Sequence, residues 1–240
     1  MKQRLDRMLV ERGLAESREK AQALIMAGEV MVDGQRAVKP GHSIDVSSRI
    51  EVTGKAPYVS RGGVKLAGAL DAFAIDVAGL IAMDVGSSTG GFTDCLLQRG
   101  AARVHAVDVG TGQLDWKLRN NPRVTVHEGI NARHLRFEDI GELVDFVACD
   151  VSFISVTLIL PAAVNILRPV GRMVILVKPQ FEVGKGQVGK GGIVRSTGLH
   201  REACSRVEEA VKNLGFRTSI MESPITGAEG NREFLLYARH

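Results

Sequence analysis

From residue 81 to residue 237 the chain alternates short apolar runs with helix-compatible stretches, and this alternation leaves few folds open to it. The apolar runs fall at 81–85, 104–109, 124–126, 146–149, 173–177, 218–221 and 234–237. The clearest helical stretches lie at 92–99, 155–167 and 200–214, the last ended by Gly215. Strands joined through helices run parallel, and a parallel sheet needs helices on both faces. The expected body is therefore α/β, built on a mostly parallel seven-stranded sheet. The last two strands are joined by a loop and are expected to pair antiparallel.

The first run leads into a helix through Asp84-Val85-Gly86-Ser87-Ser88-Thr89-Gly90-Gly91-Phe92. Glycines at such a turn let a ligand approach the backbone at the carboxyl edge of the sheet, beside the helix N-terminus. The spacing is G-x-x-x-G-G, not the G-x-G-x-x-G of a dinucleotide site, and no Lys-Ser/Thr follows to hold a phosphate. Asp84 is expected to offer an acceptor to a cationic amino group or a ribose, where a phosphate would be repelled. Asp108 ends the second strand, where an acceptor suits vicinal ribose hydroxyls. These features point to S-adenosylmethionine, with Asp84, Gly86, Ser88, Gly90, Gly91, Phe92 and Asp108 as its candidate contacts. Asn131, after the third strand, is placed for an adenine edge. Packing alone also places glycines at a helix–strand turn, Asn131 equally suits a plain turn, and Phe92 suits the core.

Other strand ends carry charge where apolar residues would pack better. Asp150 follows the run 145–149 and Lys178 follows 174–177, so both end at the carboxyl edge beside the presumed cofactor. Lys65 lies on the helix before the sheet, with Leu66, Ala69, Leu70 and Phe73, and Glu233 opens the last strand. Ordinary ion pairs would explain any one of these residues.

The N-terminal part has a different pattern. Residues 4–28 carry apolar residues at helical spacing, Gly13 separates two short helices, and Ser17 suits the N-cap of the second. Val30-Met31-Val32 then runs into an Asp33-Gly34 hairpin signal, and short strands follow near 44–46 and 49–52. A small α+β module over 1–54, a linker at 55–58 and a body over 59–240 follow from this pattern. Charge divides the chain in a similar way. Residues 1–65 hold 12 Lys/Arg against 8 Asp/Glu and the rest 19 against 19, which suggests a polyanion-binding appendage on a neutral body. Arg4, Arg7, Arg18 and Lys20 lie on the first two helices.

Three cysteines, Cys95, Cys149 and Cys204, have no CxxC spacing, so neither a disulfide framework nor a zinc site is expected, and no metal. No apolar run reaches the ~18 residues of a membrane span, and residues 1–7 lead into no signal-peptide core. A cytoplasmic protein without membrane partners is expected. Its oligomeric state is left open, with a monomer possible.

The order Lys65, Asp150, Lys178, Glu233, within Arg61-Gly62-Gly63-Val64-Lys65-Leu66, Asp84 to Phe92 and Val177-Lys178-Pro179-Gln180-Phe181-Glu182, resembles the K-D-K-E tetrad of FtsJ/RrmJ-type ribose 2′-O-methyltransferases. Residues 4–6, 17–21 and 28–34 resemble the RNA-binding module of the ribosomal-protein-S-four type. This module fused to such a body is similar to the TlyA family, historically labelled haemolysins. The resemblance covers essentially the whole chain. It implies a Rossmann-like class I methyltransferase domain and S-adenosylmethionine-dependent methylation of cytidine 2′-hydroxyls in ribosomal RNA or ribosomal subunits.

On this resemblance Lys178 activates the hydroxyl. Asp150 orients Lys178 and meets the methyl-donor end of the cofactor, while Lys65 and Glu233 fix the ribose. Glu222 also lies near the C-terminal strands, and Glu233 is preferred for its Gly-Asn-x-Glu-Phe context. Arg61, Lys185 and Lys190 join the RNA-binding candidates, the last two on a Gly/Lys-rich loop that reads as a lid or as a plain solvated loop. The alternative functions are an RNA-binding assembly factor that keeps the cofactor fold and the membrane activity named by the haemolysin label.

Overall fold

A computed structural model describes residues 2–240 except Ala27, Val38, 53–56 and Ala228, and all their side chains except that of Lys185. The chain divides into two units, Met1–Pro57 and Tyr58–His240. Lys55 and Ala56, in the stretch read as a linker, lie outside the described residues.

The first unit runs β1 (Lys2–Arg4), α1 (Leu5–Glu11), α2 (Arg18–Met26), β2 (Val30–Val32), β3 (Gln35–Arg36), β4 (Ser43–Asp45) and β5 (Ile50–Val52). Strands β1 and β4 form one antiparallel pair, and β3, β2 and β5 form a second antiparallel sheet in that order. Leu5, Met8 and Leu9 of α1 and Ala21 and Ile25 of α2 recur at helical spacing and meet Val30 in the core. Ser17 accepts from the Lys20 amide at the start of α2, as expected of a cap. Strand β1 carries no sequence signal, because three polar residues show neither alternation nor β-propensity.

The second unit continues with α3 (Gly62–Ala72), β6 (Ile81–Val85), α4 (Gly91–Gln98), β7 (Arg103–Asp108), α5 (Trp116–Arg119), β8 (Val124–Glu128), α6 (Phe137–Ile140), β9 (Val144–Cys149), α7 (Leu160–Val164), β10 (Leu167–Val177), α8 (Pro179–Glu182), α9 (Thr197–Asn213), β11 (Arg217–Glu222) and β12 (Phe234–Arg239). Its seven strands are ordered β11-β12-β10-β9-β6-β7-β8, with β12 alone reversed. From β6, inside the sheet, the chain moves outward to β7 and β8, then returns to β9 on the other side. This reversal opens a crevice at the carboxyl ends of β6 and β9, where open α/β sheets bind ligands.

Alternation along the strands divides the core. Ala82, Phe146, Ala148, Val174 and Leu176 pack with the layer of α3 and α4; Met83, Val85, Val147, Ile175 and Val177 pack with that of α7 and α9. Helix α9 buries His200, Ala203, Val207 and Val211 on one stripe, and Ser196 caps it. The three cysteines are free, and burial pushes the Cys95 and Cys204 thiols up to about 12.

Two elements differ from the sequence expectation. The helix expected over 155–167 is a 3-10 turn at Val156–Leu158 followed by α7, because Pro161 lacks an amide hydrogen and sits at the start of the second helix. Strand β10 begins at Leu167, and its register against β9 shifts between Leu167 and Arg172, the stretch that holds Pro169 and Gly171.

Candidate active site

The turn after β6 is shaped by close approach. Gly86 has φ +86°, and a Cβ there would stand 2.3 Å from the Asp150 carbonyl oxygen at the end of β9. Any side chain would push the two strand ends apart. Beneath the turn Asp84 is fully buried, and its Oδ2 accepts from the Thr93 amide at 2.9 Å and the Thr93 hydroxyl at 2.7 Å. Burial raises its carboxyl to about 7. Asp84 thus ties β6 to the first turn of α4 and does not line the cleft. Strand alternation explains the difference from the expected ligand contact, since Asp84 shares the face of Ala82. Gly90 likewise serves packing, since a Cβ there would meet Leu118 at 2.3 Å, while Phe92 is buried in the α3–α4 layer and also borders the cavity at the turn.

A cavity of about 490 Å³ opens above the turn, lined by Gly86, Ser88, Asp108, Gly110, Gln113, Asn131 and Asp150 over an apolar floor that includes Ile130 and Ile154. Asp108 is held by backbone donors, with Oδ2 accepting from Ser88 N at 2.8 Å and Oδ1 from Gly110 N at 2.7 Å. Each oxygen keeps a further lone pair for a hydroxyl. Asn131 accepts from Arg133 N at 3.1 Å and caps a 3-10 turn, so it serves the turn while its side chain borders the cavity. Gln113 escaped the sequence reading. Its partner is the hydroxyl of Ser88, which donates to Gln113 Oε1 at 3.2 Å, and no local spacing signals a contact across 25 residues.

The four charged residues form two ion pairs. Lys178 Nζ, at the end of β10, lies 2.5 Å from Asp150 Oδ1 at the end of β9 and donates to Ser152 Oγ at 2.8 Å. Lys65 Nζ, on α3, lies 2.5 Å from Glu233 Oε2 just before β12, both side chains being buried. Lys65, Asp150 and Lys178 share a polar cavity of about 190 Å³ with Gly86, Ser88, Gly91 and Phe92. On the far side, Lys65, Lys178 and Glu233 border a cavity of about 430 Å³ with Phe153, Gln180, Phe181 and Asn231. Shared walls make the three spaces neighbours: Gly86, Ser88, Asp150 and Ser152 separate the first two, and Lys65, Ser152 and Lys178 the second two. Glu222 pairs instead with Arg232, both about half exposed.

The segments that follow Asp150 and Lys178 are joined along their length. Beyond the Lys178 contacts, the rings of Phe153 and Phe181 stand 5.3 Å apart, and buried Glu182 accepts from Ser155 Oγ at 2.6 Å and Val156 N at 2.8 Å. Burial raises the Glu182 carboxyl. Phe153 is 92% exposed and has φ +66°, a costly conformation for a bulky residue and one that holds its ring in both main cavities. Neither role was visible in the sequence, since both depend on partners 26 to 28 residues away.

The basic residues fall into several kinds. Arg4 and Arg18 both donate to fully buried Asp6, from Arg4 Nη2 at 2.8 Å and Arg18 Nε at 3.0 Å, and Gln22 adds a third contact. Arg4 above all holds the Asp6 carboxyl well below the usual carboxylate range. Lys20 pairs with Glu16, while Arg7 is exposed and has no ion pair among the described residues. In the second unit Arg61 donates to Thr226 O at 2.8 Å. Lys190 is exposed on a 3-10 turn whose end is held by Asn231, through Val194 N and Gly192 O. The side chain of Lys185 lies outside the described structure. Among the described residues no group of three or more His, Cys, Asp or Glu side chains is placed to hold a metal ion.

Residues 58–240 match the model of the FtsJ-like methyltransferases, and residues 3–50 match that of the S4 domain. The chain is 50% identical over 239 residues to the 16S/23S rRNA (cytidine-2'-O)-methyltransferase TlyA of Mycobacterium tuberculosis, covering 98% of this chain and 89% of that one. It is 49% identical, over 98% of this chain and 85% of the other, to the putative rRNA methyltransferase YqxC of Bacillus subtilis. A solved structure described as a putative hemolysin from Streptococcus thermophilus is 46% identical, with a TM-score of 0.78 over 99% of this chain and 88% of that one.

Proposed function

The chain belongs to the FtsJ-like methyltransferase family, and on that premise we propose that it methylates the ribose 2′-hydroxyl of cytidine in ribosomal RNA, with S-adenosylmethionine as donor and the S4 domain as an RNA-binding unit. The observation that carries the proposal is the position of the Lys178–Asp150 and Lys65–Glu233 pairs between a cavity suited to an adenosyl group and a second, aromatic-walled cavity.

The residues of the first cavity fit the cofactor. Gly86 brings bare backbone to the cavity wall, Asp108 keeps acceptors that would take ribose hydroxyls, Asn131 would border the base, and Asp150 would face the methyl-donor end. When bound, S-adenosylmethionine supplies an electrophilic methyl group.

The chain's own work is to hold a weak nucleophile and take its proton. Transfer releases one proton from the 2′-hydroxyl, and Lys178 Nζ, an ammonium beside Asp150 in this structure, is the group placed to receive it once it has given a proton to solvent and become the neutral amine. Asp150 Oδ1, 2.5 Å away, stabilises the ammonium so formed, and Ser152 fixes its direction. Lys65, held by Glu233, orients the ribose from the other wall. Proton transfer of this kind is worth ~10²–10⁴-fold, while alignment of two reactants contributes ~7–11 kcal/mol, so positioning is the larger share. The exposed Phe153 ring offers a face on which a base unstacked from RNA can rest.

A ribosomal RNA substrate supports a cytoplasmic location. One solved relative is described as a putative hemolysin, and no helix among the described residues is long and apolar enough to cross a membrane. Incubation with purified ribosomal subunits and S-adenosylmethionine, followed by digestion to nucleosides, tests the proposal. 2′-O-methylcytidine is the expected product, and a base-methylated nucleoside would refute it.

A further inference from the structure

The cavity of about 430 Å³ beyond the paired lysines has the size and walls of a small-ligand site, with the Phe153 and Phe181 rings on one side and polar side chains around the rest. Most of those polar groups are already engaged. Lys65 holds Glu233, Lys178 holds Asp150 and Ser152, and the Asn231 amide uses its oxygen on Val194 N and its nitrogen on Gly192 O. Gln180 differs in that its Oε1 is buried with no hydrogen-bond partner among the described residues. An unpaired buried acceptor costs the folded protein free energy that a ligand donor recovers. Its placement is also specific, since Gln180 lies two residues beyond Lys178 on α8, and Pro179 restricts the backbone between them.

Flat aromatic walls with a buried acceptor fit a planar ring that carries an exocyclic amine. Resting on the reading that this cavity takes the target nucleoside of ribosomal RNA, we infer that Gln180 is the residue that selects cytidine over uridine. Its Oε1 accepts from the N4 amine of cytosine. Uracil presents O4 at that position, so acceptor would face acceptor and the buried oxygen would stay unpaired. Glu229, which borders the same cavity, adds a carboxylate that also favours an amine over a carbonyl.

The test compares methyl transfer to ribosomal subunits that carry cytidine, or uridine by substitution, at the nucleotide that the wild-type enzyme modifies. Wild type, Gln180→Leu and Gln180→Glu are assayed side by side, with S-adenosylhomocysteine binding measured for each. Wild type is expected to prefer cytidine by roughly tenfold to a hundredfold in kcat/KM. Gln180→Leu brings the two substrates within a few-fold of each other, chiefly by losing cytidine activity, and Gln180→Glu, still an acceptor, keeps the preference. An unchanged cytidine preference in Gln180→Leu, with cofactor-product binding intact, overturns the assignment. If Gln180→Leu is inactive on both substrates, Gln180→Glu decides: retained preference supports the assignment and lost preference overturns it. Absence of transfer by the wild type itself refutes the underlying reading, and the assignment falls with it.

Discussion

Lys65 and Glu233 stand 2.5 Å apart, Nζ to Oε2, with both side chains buried and 168 residues of chain between them. The contact joins the helix that precedes the sheet to the last strand, at the edge of the cavity assigned to the target nucleoside. Glu222, eleven residues earlier, spends its charge on exposed Arg232.

This difference in burial predicts a difference in stability. Glu233→Ala leaves the Lys65 charge buried and unpaired and is expected to cost about 3–5 kcal/mol. Glu222→Ala breaks an exposed pair and should cost under about 1 kcal/mol. Urea denaturation of the two variants checks this, and equal losses would contradict the buried pairing.

Asp84 predicts a pH dependence. Its folded carboxyl titrates near 7, above the unfolded value near 4, because burial disfavours the charged form. Below about pH 4 both states are protonated and nothing is lost. As the pH rises to about 7 the unfolded chain ionises while the folded one holds its proton, so stability falls, by at most about 4 kcal/mol. Asp84→Asn removes this contribution while keeping an acceptor for Thr93. The variant should gain stability relative to wild type between pH 4 and pH 7 in chemical denaturation, and parallel pH profiles would contradict the assignment.

The arginines of the first unit should separate by role. Arg4→Ala and Arg18→Ala remove partners of buried Asp6 and are expected to lower the melting temperature along with RNA affinity. Arg7→Ala should leave the melting temperature unchanged, weaken RNA binding and reduce the salt dependence by about one counterion. Thermal melts beside binding at several salt concentrations distinguish the two groups. A loss of melting temperature in Arg7→Ala would contradict the division.

The parts of the molecule that were legible in the sequence are those that depend on local pattern. Apolar runs and glycine turns marked the strands and their carboxyl ends, and so the edge at which Asp108, Asp150 and Lys178 collect. Features set by distant partners were not legible. Asp84 looked like a ligand contact because its position at a strand end is local information, whereas its bond to Thr93 depends on how α4 packs. Arg4 and Arg18 looked like free cations because nothing nearby in sequence announces that Asp6 is fully buried. Glu182, Phe153 and Gln180 acquire meaning only when the segments after β9 and β10 lie side by side.

The central claim is that Lys178, at the junction of the two cavities, drives transfer to a ribose hydroxyl. Transfer of labelled methyl from S-adenosylmethionine to ribosomal subunits, compared between wild type and Lys178→Met, tests it most directly. The account predicts label at alkali-resistant ribose linkages for the wild type. For Lys178→Met it predicts a rate lower by ~10²-fold or more with cofactor binding retained. Transfer by Lys178→Met at the wild-type rate, or label on the base instead of the ribose, would contradict it.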